Sequence, residues 1–178
     1  KILKNYKDWS AYVVGDEPRD KLEFNHKRLY KLGFKEHKDV INLYKKTSIA
    51  VVCSRWEEPF GRTSLEAAAN GCAVIISNKG GLPETITNGV ILKKLTVNEI
   101  FSKIKHLINN STKRKIYQNL SYKNFYLSHQ YVSKQIDEVR NNLLKISSPS
   151  VFKQPSNLRI LHITNFNERH NGRLFFNT

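Results

Sequence analysis

Long apolar runs are missing from this chain of 178 residues. The longest runs are about five residues, whereas a helix that spans a membrane needs roughly 20. Residues 1–7 are not followed by the apolar stretch that a secretory signal requires. We therefore expect a cytoplasmic protein, with any membrane contact peripheral and at the inner membrane face.

Cysteine and methionine are also scarce. The two cysteines, Cys53 and Cys72, are too few for a disulfide framework, and the six histidines are too scattered to complete a local metal cluster with them. We predict that both thiols are buried and that there is no metal site. The complete lack of methionine suggests a piece of a longer polypeptide.

Acidic residues are half as common as basic ones. The 15 Asp and Glu against 30 Lys and Arg give a formal net charge of +15. This excess favours polyanionic partners such as phosphorylated substrates, an anionic membrane surface or nucleic acid. Nucleic acid is the least favoured, because the basic residues form no block and no RNA-binding signature interleaves them with aromatics.

The chain does contain a regular alternation of short β-branched segments and helical segments. Strands are predicted at residues 10–14, 29–34, 49–53, 73–77 and 90–92. Helices are predicted at 39–46, 63–70 and 97–108, the last opened by a capping box of Thr96 and Glu99, and helical composition continues from about 112 to 145. This alternation predicts an α/β fold with a doubly wound parallel sheet.

The helix predicted at 63–70 follows a buried strand and a short loop. It begins near Gly61, follows the strand at 49–53, and should bury one face formed by Leu65, Ala68 and Ala69 before ending at Gly71. Its first amides and positive dipole end would lie at the carboxyl end of the strand, where phosphates bind.

Two carboxylates, Glu58 and Glu66, bracket the start of that helix in the run Glu-Pro-Phe-Gly-Arg-Thr-Ser-Leu-Glu. A carboxylate can accept two hydrogen bonds from a vicinal diol, so the segment could hold a sugar, a diphosphate and a ribose. The alternative is that both are exposed charges around a helix start. The spacing alone is a weak signal.

Three segments in order resemble a known family: residues 54–61, residues 66–71, and Gly-Gly-Leu-Pro-Glu at 80–84. Together with the strand between them they look like the donor-binding half of the retaining GT-B-fold glycosyltransferases of "group 1". The resemblance covers residues 1–145 and implies a Rossmann-like sheet that binds a nucleotide sugar. In it, residues 10–14 correspond to the second strand of the domain.

The resemblance implies a role for each site residue. Glu58 would be the catalytic residue, orienting the donor sugar without acting as a nucleophile. The donor-binding residues would be Gly33 and Phe34 at the base, Ser54 and Arg55 at the strand end, Phe60 and Gly61 at the sugar, Arg62 and Thr63 at the diphosphate, and Glu66 at the ribose.

The implied reaction is transfer of a sugar from a nucleoside-diphosphate donor to an acceptor hydroxyl with retention, without cofactor or metal. The acceptor, a glycan or a lipid-linked sugar, would bind an N-terminal domain. We expect that domain and the first donor-domain strand to precede Lys1, so the fragment alone should be inactive. Two alternatives stay open: a non-catalytic nucleotide-sugar-binding module, and a basic adaptor for membranes or nucleic acid.

Composition changes at residue 146. We predict a donor-binding domain at 1–146, a linker at 147–157 and a further strand–loop unit at 158–178. That unit would start a second glycosyltransferase, or its strand would instead pair with the edge of this sheet. The helix ending near residue 145 would brace the two enzyme domains, or pack on the sheet.

Overall fold

The structure of the protein, a computed structural model, describes residues 1–15 and 23–146. The chain divides into two units, Lys1–Ser128 and His129–Thr178. The strands of the first unit are β1 (Ala11–Val14), β2 (Leu29–Gly33), β3 (Ile49–Val52), β4 (Ala73–Ser77) and β5 (Gly89–Leu92). Its helices are α1 (Ile2–Asn5), α2 (His37–Tyr44), α3 (Arg62–Ala69), α4 (Val97–Asn109) and α5 (Ser111–Lys123). The described part of the second unit is helix α6 (His129–Ile146).

All five strands pair in parallel, in two hydrogen-bonded groups. β1 pairs with β2, and β3, β4 and β5 follow one another in that order. The predicted α/β fold with parallel strands is confirmed, although within residues 1–15 and 23–146 the strands form two groups and not one sheet.

The core lies on both faces of β4, whose five residues are all buried. Val74 and Ile76 point to one face, where they pack with Ala67 and Ala68 of α3. Side chains of the alternate positions, Ala73 and Ile75, point to the other face and pack with Leu107 of α4. Because successive strand residues face opposite sides, a strand covered by helices on both faces is apolar throughout.

Helix α3 buries a different face from the predicted one. The buried residues are Ser64, Ala67 and Ala68, which share one side of a helix at the spacing i, i+3, i+4. The prediction that Leu65 and Ala69 share the buried face with Ala68 was wrong, since both are only partly buried. Small residues on this face let the helix lie close to β4.

The end of α3 is confirmed at Gly71, which has a φ of +77°. Its amide donates to the Ala68 carbonyl at 3.0 Å, and the next amide, that of Cys72, donates to the Ala67 carbonyl at 3.0 Å. This is the Schellman arrangement, which requires a left-handed residue at that position and therefore favours glycine.

Helix α4 begins as predicted, with the Thr96 hydroxyl accepting a hydrogen bond from the Glu99 amide at 3.2 Å. The second half of the predicted capping box is wrong. The Glu99 carboxylate accepts from the amides of Lys93 and Lys94, both at 2.8 Å, and not from Thr96. Glu99 thus fixes the chain between β5 and α4.

The predicted helical run from 112 to 145 is interrupted at residues 124–128, between α5 and α6. Near the end of α5, the Ser121 hydroxyl donates to the Asn88 carbonyl at 2.6 Å. The side-chain amide of Asn124 donates to Asn88 Oδ1 at 2.8 Å. These bonds fix the end of α5 to the turn before β5, so a long-range contact and not a Gly or Pro ends the helix.

Several predictions fall beyond the described residues. The linker at 147–157 and the unit at 158–178 lie there, and the domain boundary at 146 stays a prediction. In the ranges that the structure covers, no helix is both long enough and apolar enough to cross a membrane.

Candidate functional site

The ends of β3 and β4 are tied together by a serine pair. The Ser54 amide donates to the Ser77 hydroxyl at 2.9 Å, and that hydroxyl donates to the Ser54 carbonyl at 3.0 Å. Ser54 is the predicted site residue at the carboxyl end of β3, and Ser77 ends the neighbouring strand. After Ser54, Arg55 and Trp56 are exposed. Two hydrogen bonds therefore hold the end of β3 in place where the predicted site begins.

Gly61 turns the chain from this loop into α3. Its φ of +89° is left-handed, and an added Cβ would lie 2.6 Å from Leu82 Cδ2. Its carbonyl accepts hydrogen bonds from the amides of Ser64 at 3.1 Å and Leu65 at 3.3 Å. Only glycine combines this conformation with the close approach of Leu82.

The first amides of α3 are available to a ligand. Across the described residues, the amides of Phe60, Arg62 and Thr63 have no hydrogen-bond acceptor. They lie at the positive end of the helix dipole, at the carboxyl edge of the strands. Backbone geometry at the predicted diphosphate position is thus suited to an anion.

Glu66 lies one turn into α3 and is bonded to two nitrogen donors. Its Oε1 accepts from Arg62 Nε at 2.9 Å and lies 3.0 Å from Nε2 of His37. The Glu66 side chain is 17% exposed, whereas that of Arg62 is 73% exposed. Since His37 opens α2 just after β2, Glu66 faces the carboxyl end of β2, on the same edge as the loop after β3.

His37 was not predicted as a site residue. From the sequence it was one of six scattered histidines, none of them in a ligand-like cluster. Its contact with Glu66 spans 29 positions of the chain. No local spacing signals such a pair.

Glu58 is half-buried, and its carboxylate makes no hydrogen bond or ion pair with the residues described here. Its carbonyl accepts from the Gly81 amide at 2.7 Å. Phe60, two residues on, is exposed. The backbone of Glu58 is therefore fixed while its acidic group is available.

The predicted base position lies at the end of β2. Gly33 has a φ of +61°, and its carbonyl accepts from the Gly15 amide at 2.9 Å. The Phe34 side chain is 73% exposed. The contact between His37 and Glu66 connects this region to α3, so the predicted residues from the two loops share one edge of the strands.

Burial shifts the pKa values of three groups in the first unit. Burial first, and then the Glu66 carboxylate, raises the pKa of Tyr44 to about 12. Burial raises the pKa of Cys72 to about 12 and also raises that of Cys53. Cys72 is buried as predicted, while Cys53 is only half-buried. Neither thiol is ionised at neutral pH. Among the described residues, no three His, Cys, Asp or Glu side chains are grouped as metal ligands would be.

Comparison with known proteins places the chain in a family. Residues 1–124 match the family of Glycosyl transferases group 1. The spore coat protein SA of Bacillus subtilis is 31% identical over 130 residues, which cover 64% of this chain and 34% of that protein. The chain belongs to the group 1 glycosyl transferases.

Two solved structures share the fold. A glycosyltransferase from Rickettsia africae aligns with a TM-score of 0.65 and 25% identity, over 82% of this chain and 43% of that one. Anabaena HepE in complex with UDP-glucose aligns with a TM-score of 0.59 and 24% identity, over 75% of this chain and 41% of that one. The predicted GT-B fold is thereby confirmed, and the chain spans less than half the length of each of these proteins.

Proposed function

We propose that residues 1–128 bind a nucleoside-diphosphate sugar, and that the intact protein transfers the sugar to an acceptor hydroxyl with retention at the anomeric carbon. The proposal is carried by one observation: the amides of Arg62 and Thr63, which have no acceptor among the described residues, begin α3 between Glu58 and Glu66 along the chain. Family membership and the UDP-glucose complex of HepE support it.

The diphosphate would bind at the amides of Arg62 and Thr63. These amides and the helix dipole are oriented before the reaction, so they stabilise negative charge without reorganising. Charge builds on the leaving diphosphate as the donor sugar becomes oxocarbenium-like. Arg55 and Arg62 are exposed, and their guanidinium groups would add positive charge near this position.

The ribose would bind at Glu66. A carboxylate offers about four acceptor positions on two oxygens. Because the bonds from Arg62 and His37 both go to Oε1, Oε2 remains for the ribose hydroxyls. The two nitrogen donors also hold the carboxylate in one orientation.

The sugar would lie between Glu58 and the amides of Phe60 and Gly61. Glu58 would orient the sugar through its hydroxyls and is not assigned as a nucleophile. Gly61 allows the ligand to approach the backbone, since it carries no side chain. The base would lie beside Gly33 and Phe34, at the end of β2.

Other features of the whole protein are also part of the proposal. The acceptor, a glycan or a lipid-linked sugar, would bind outside residues 1–128. No metal is assigned, because α3 and basic side chains would stabilise the diphosphate. The net charge of +15 fits a cytoplasmic protein that contacts an anionic membrane surface peripherally.

Calorimetry on the full 178-residue chain tests the donor site. The probes are UDP-glucose and UDP, with GDP-mannose, GDP, ADP-glucose and ADP run alongside. Glu66→Ala should weaken binding of sugar nucleotide and free nucleotide alike, by about 1–3 kcal/mol, through lost ribose hydrogen bonds. Asp8→Ala is the matched control, because Asp8 is exposed in the turn before β1, at the amino end of the strands.

Two outcomes would contradict the proposal. Unchanged affinity in Glu66→Ala would make Glu66 a helix-surface charge only. Absence of nucleotide binding, together with salt-dependent binding to single-stranded DNA or to anionic vesicles, would favour the basic adaptor. A non-catalytic binding module would instead bind the donor without transferring sugar in the full-length protein.

A further inference from the structure

The loops after β3 and β4 are in direct backbone contact. The Gly81 amide donates to the Glu58 carbonyl at 2.7 Å. A Cβ added to Gly80 would lie 2.2 Å from the same carbonyl oxygen and 2.6 Å from the Glu58 nitrogen. No side chain fits between the two loops at this point, so the glycine pair is what lets them touch.

Glu57 adds a side-chain connection between the same loops. Its Oε2 accepts from the Gly80 amide at 2.7 Å, and its Oε1 accepts from Lys79 Nζ at 2.7 Å. We call these two bonds and the bond from Gly81 to Glu58 the interloop clasp. The ion pair alone would contribute little, since both side chains are solvent-accessible. The bond to the backbone amide is charge-assisted and directional, and it fixes the loop geometry.

We propose that Glu57 is a positioning residue for the sugar part of the donor site. The clasp holds Glu57 by its side chain and Glu58 by its carbonyl, and it leaves the Glu58 carboxylate without a hydrogen bond to the described residues. The backbone on either side of Glu58 is thereby fixed, and with it the direction of its side chain and the following amides of Phe60 and Gly61. The inference rests on the proposed function, since it concerns the same site.

The ionisation of Glu57 is consistent with this role. Hydrogen bonds from the Lys79 ammonium and the Gly80 amide hold the pKa of Glu57 below its usual range. The carboxylate is therefore charged at neutral pH, and both oxygens are acceptors.

A positioning role and a merely structural role differ in which ligand a substitution of Glu57 affects. Glu57 is linked to the sugar position and not to α3, where the nucleotide would bind. Glu57→Ala should therefore weaken UDP-glucose binding about tenfold while changing UDP binding less than about twofold. Glu57→Gln keeps an acceptor for Gly80 and should restore most of the affinity.

Two further variants sharpen the test. Lys79→Met removes the ion pair but keeps the bond to Gly80, so its effect should stay below about threefold. Asp8→Asn removes the same charge in the turn before β1, at the amino end of the strands, and should change neither affinity. In parallel, the Gly80 amide resonance should move upfield in Glu57→Ala and stay near its wild-type position in Lys79→Met.

The outcomes distinguish this inference from the proposed function. If the wild-type chain binds neither ligand, the proposed function fails and the role of Glu57 fails with it. If the wild type binds UDP-glucose and Glu57→Ala binds it equally well, only the role of Glu57 is overturned. Equal losses of UDP and UDP-glucose, with a lowered thermal midpoint, would show a structural role and also overturn it.

Discussion

The two groups of strands in the first unit are alike in sequence and differ in burial. β1 reads Ala-Tyr-Val-Val and β3 reads Ile-Ala-Val-Val, and both are parallel strands at the ends of their groups. Yet Tyr12 on β1 is 50% exposed and Tyr30 on β2 is 44% exposed, whereas Ile75 on β4 has no exposed surface. Strands of similar composition thus occur in a group whose central strand is fully buried and in a pair that has no fully buried residue.

The difference shows that burial comes from neighbours. β4 has a strand on each side and helices on both faces, so every side chain is enclosed. The β1–β2 pair is stabilised by other contacts, including stacking of the Tyr12 and Tyr30 rings at 4.9 Å between centroids. The Arg28 guanidinium also donates to the carbonyls of Tyr6, Trp9 and Leu3. The candidate segment from Glu58 to Glu66 follows β3 of the covered group, while the candidate residues Gly33 and Phe34 lie at the end of β2.

The largest expected effect is at the centre of the covered group. Ile75→Ala should lower the free energy of unfolding by about 4 kcal/mol, because it leaves a cavity between β4 and α4. Tyr12→Ala should cost less than about 1 kcal/mol, since half of its ring already contacts water. Urea denaturation measures both, and equal losses would mean that the two groups are equally covered in solution.

A smaller effect is expected at the glycines that follow the strands. Gly80→Ala should cost about 2–3 kcal/mol, since the methyl group would collide with the Glu58 carbonyl in addition to straining the backbone. Gly33→Ala has a similar φ of +61° but open space around the Cβ, so only the backbone strain of about 1 kcal/mol remains. Thermal denaturation would compare them, and a greater loss in Gly33→Ala would show that the loops after β3 and β4 are not in contact.

Truncation before Ser147 should change the stability of the first unit by less than about 1 kcal/mol, a shift of a few degrees in thermal midpoint. The predicted linker composition is the reason, since few contacts should cross such a boundary. A large drop or insolubility would show that residues after 146 cover the exposed strands. The difference in burial between the two groups of strands would then hold only for the shortened chain.

The smallest effects concern pH, where the two regions should titrate separately. The Arg28 amide donates to His26 Nδ1 at 3.1 Å, and burial with nearby positive charge lowers the pKa of His26 from its usual 6.5. That bond is intact above the usual value and is lost as pH falls through the lowered one. The two bonds of the Glu57 carboxylate should weaken in the same direction but below 4.5, the usual pKa of Glu57.

The NMR resonances of the Arg28 and Gly80 amides, followed from pH 8 to pH 3, report the two transitions separately, because the usual pKa values of His and Glu lie about two pH units apart. Each midpoint should lie below the usual value of its own group. A common midpoint would mean that both amides report one global unfolding step, and that the two local bonds do not titrate independently.

Sequence patterns predicted the bounds of the strands and helices of the first unit better than they predicted which faces are buried. β1 to β5 lie within one or two residues of the predicted bounds, because β-branched runs broken by glycine and polar residues are local signals. Gly61 and Gly71 marked the start and end of α3 for the same reason. The buried face of α3 was mispredicted, since choosing between overlapping apolar faces requires knowledge of what covers them.

Only the part of the candidate site that lies in one continuous segment could be predicted from the sequence. Glu58 through Glu66 form one continuous segment, so a strand and a helix start place them at one edge without long-range information. His37 and Glu57 act through partners 29 and 22 or more positions away, and their contacts exist only once the loops meet. The functions of all these residues stay predictions.

By itself, the sequence determined the order of strands and helices, the glycines at which the chain turns, and the family to which the chain belongs. These are properties of segments, set by side-chain shape, periodicity and backbone freedom. The tertiary structure alone decided which apolar strands are covered, where α5 ends, and which groups hold Glu57 and Glu66 in place. Those outcomes depend on distances between segments remote in the chain, which no local pattern specifies.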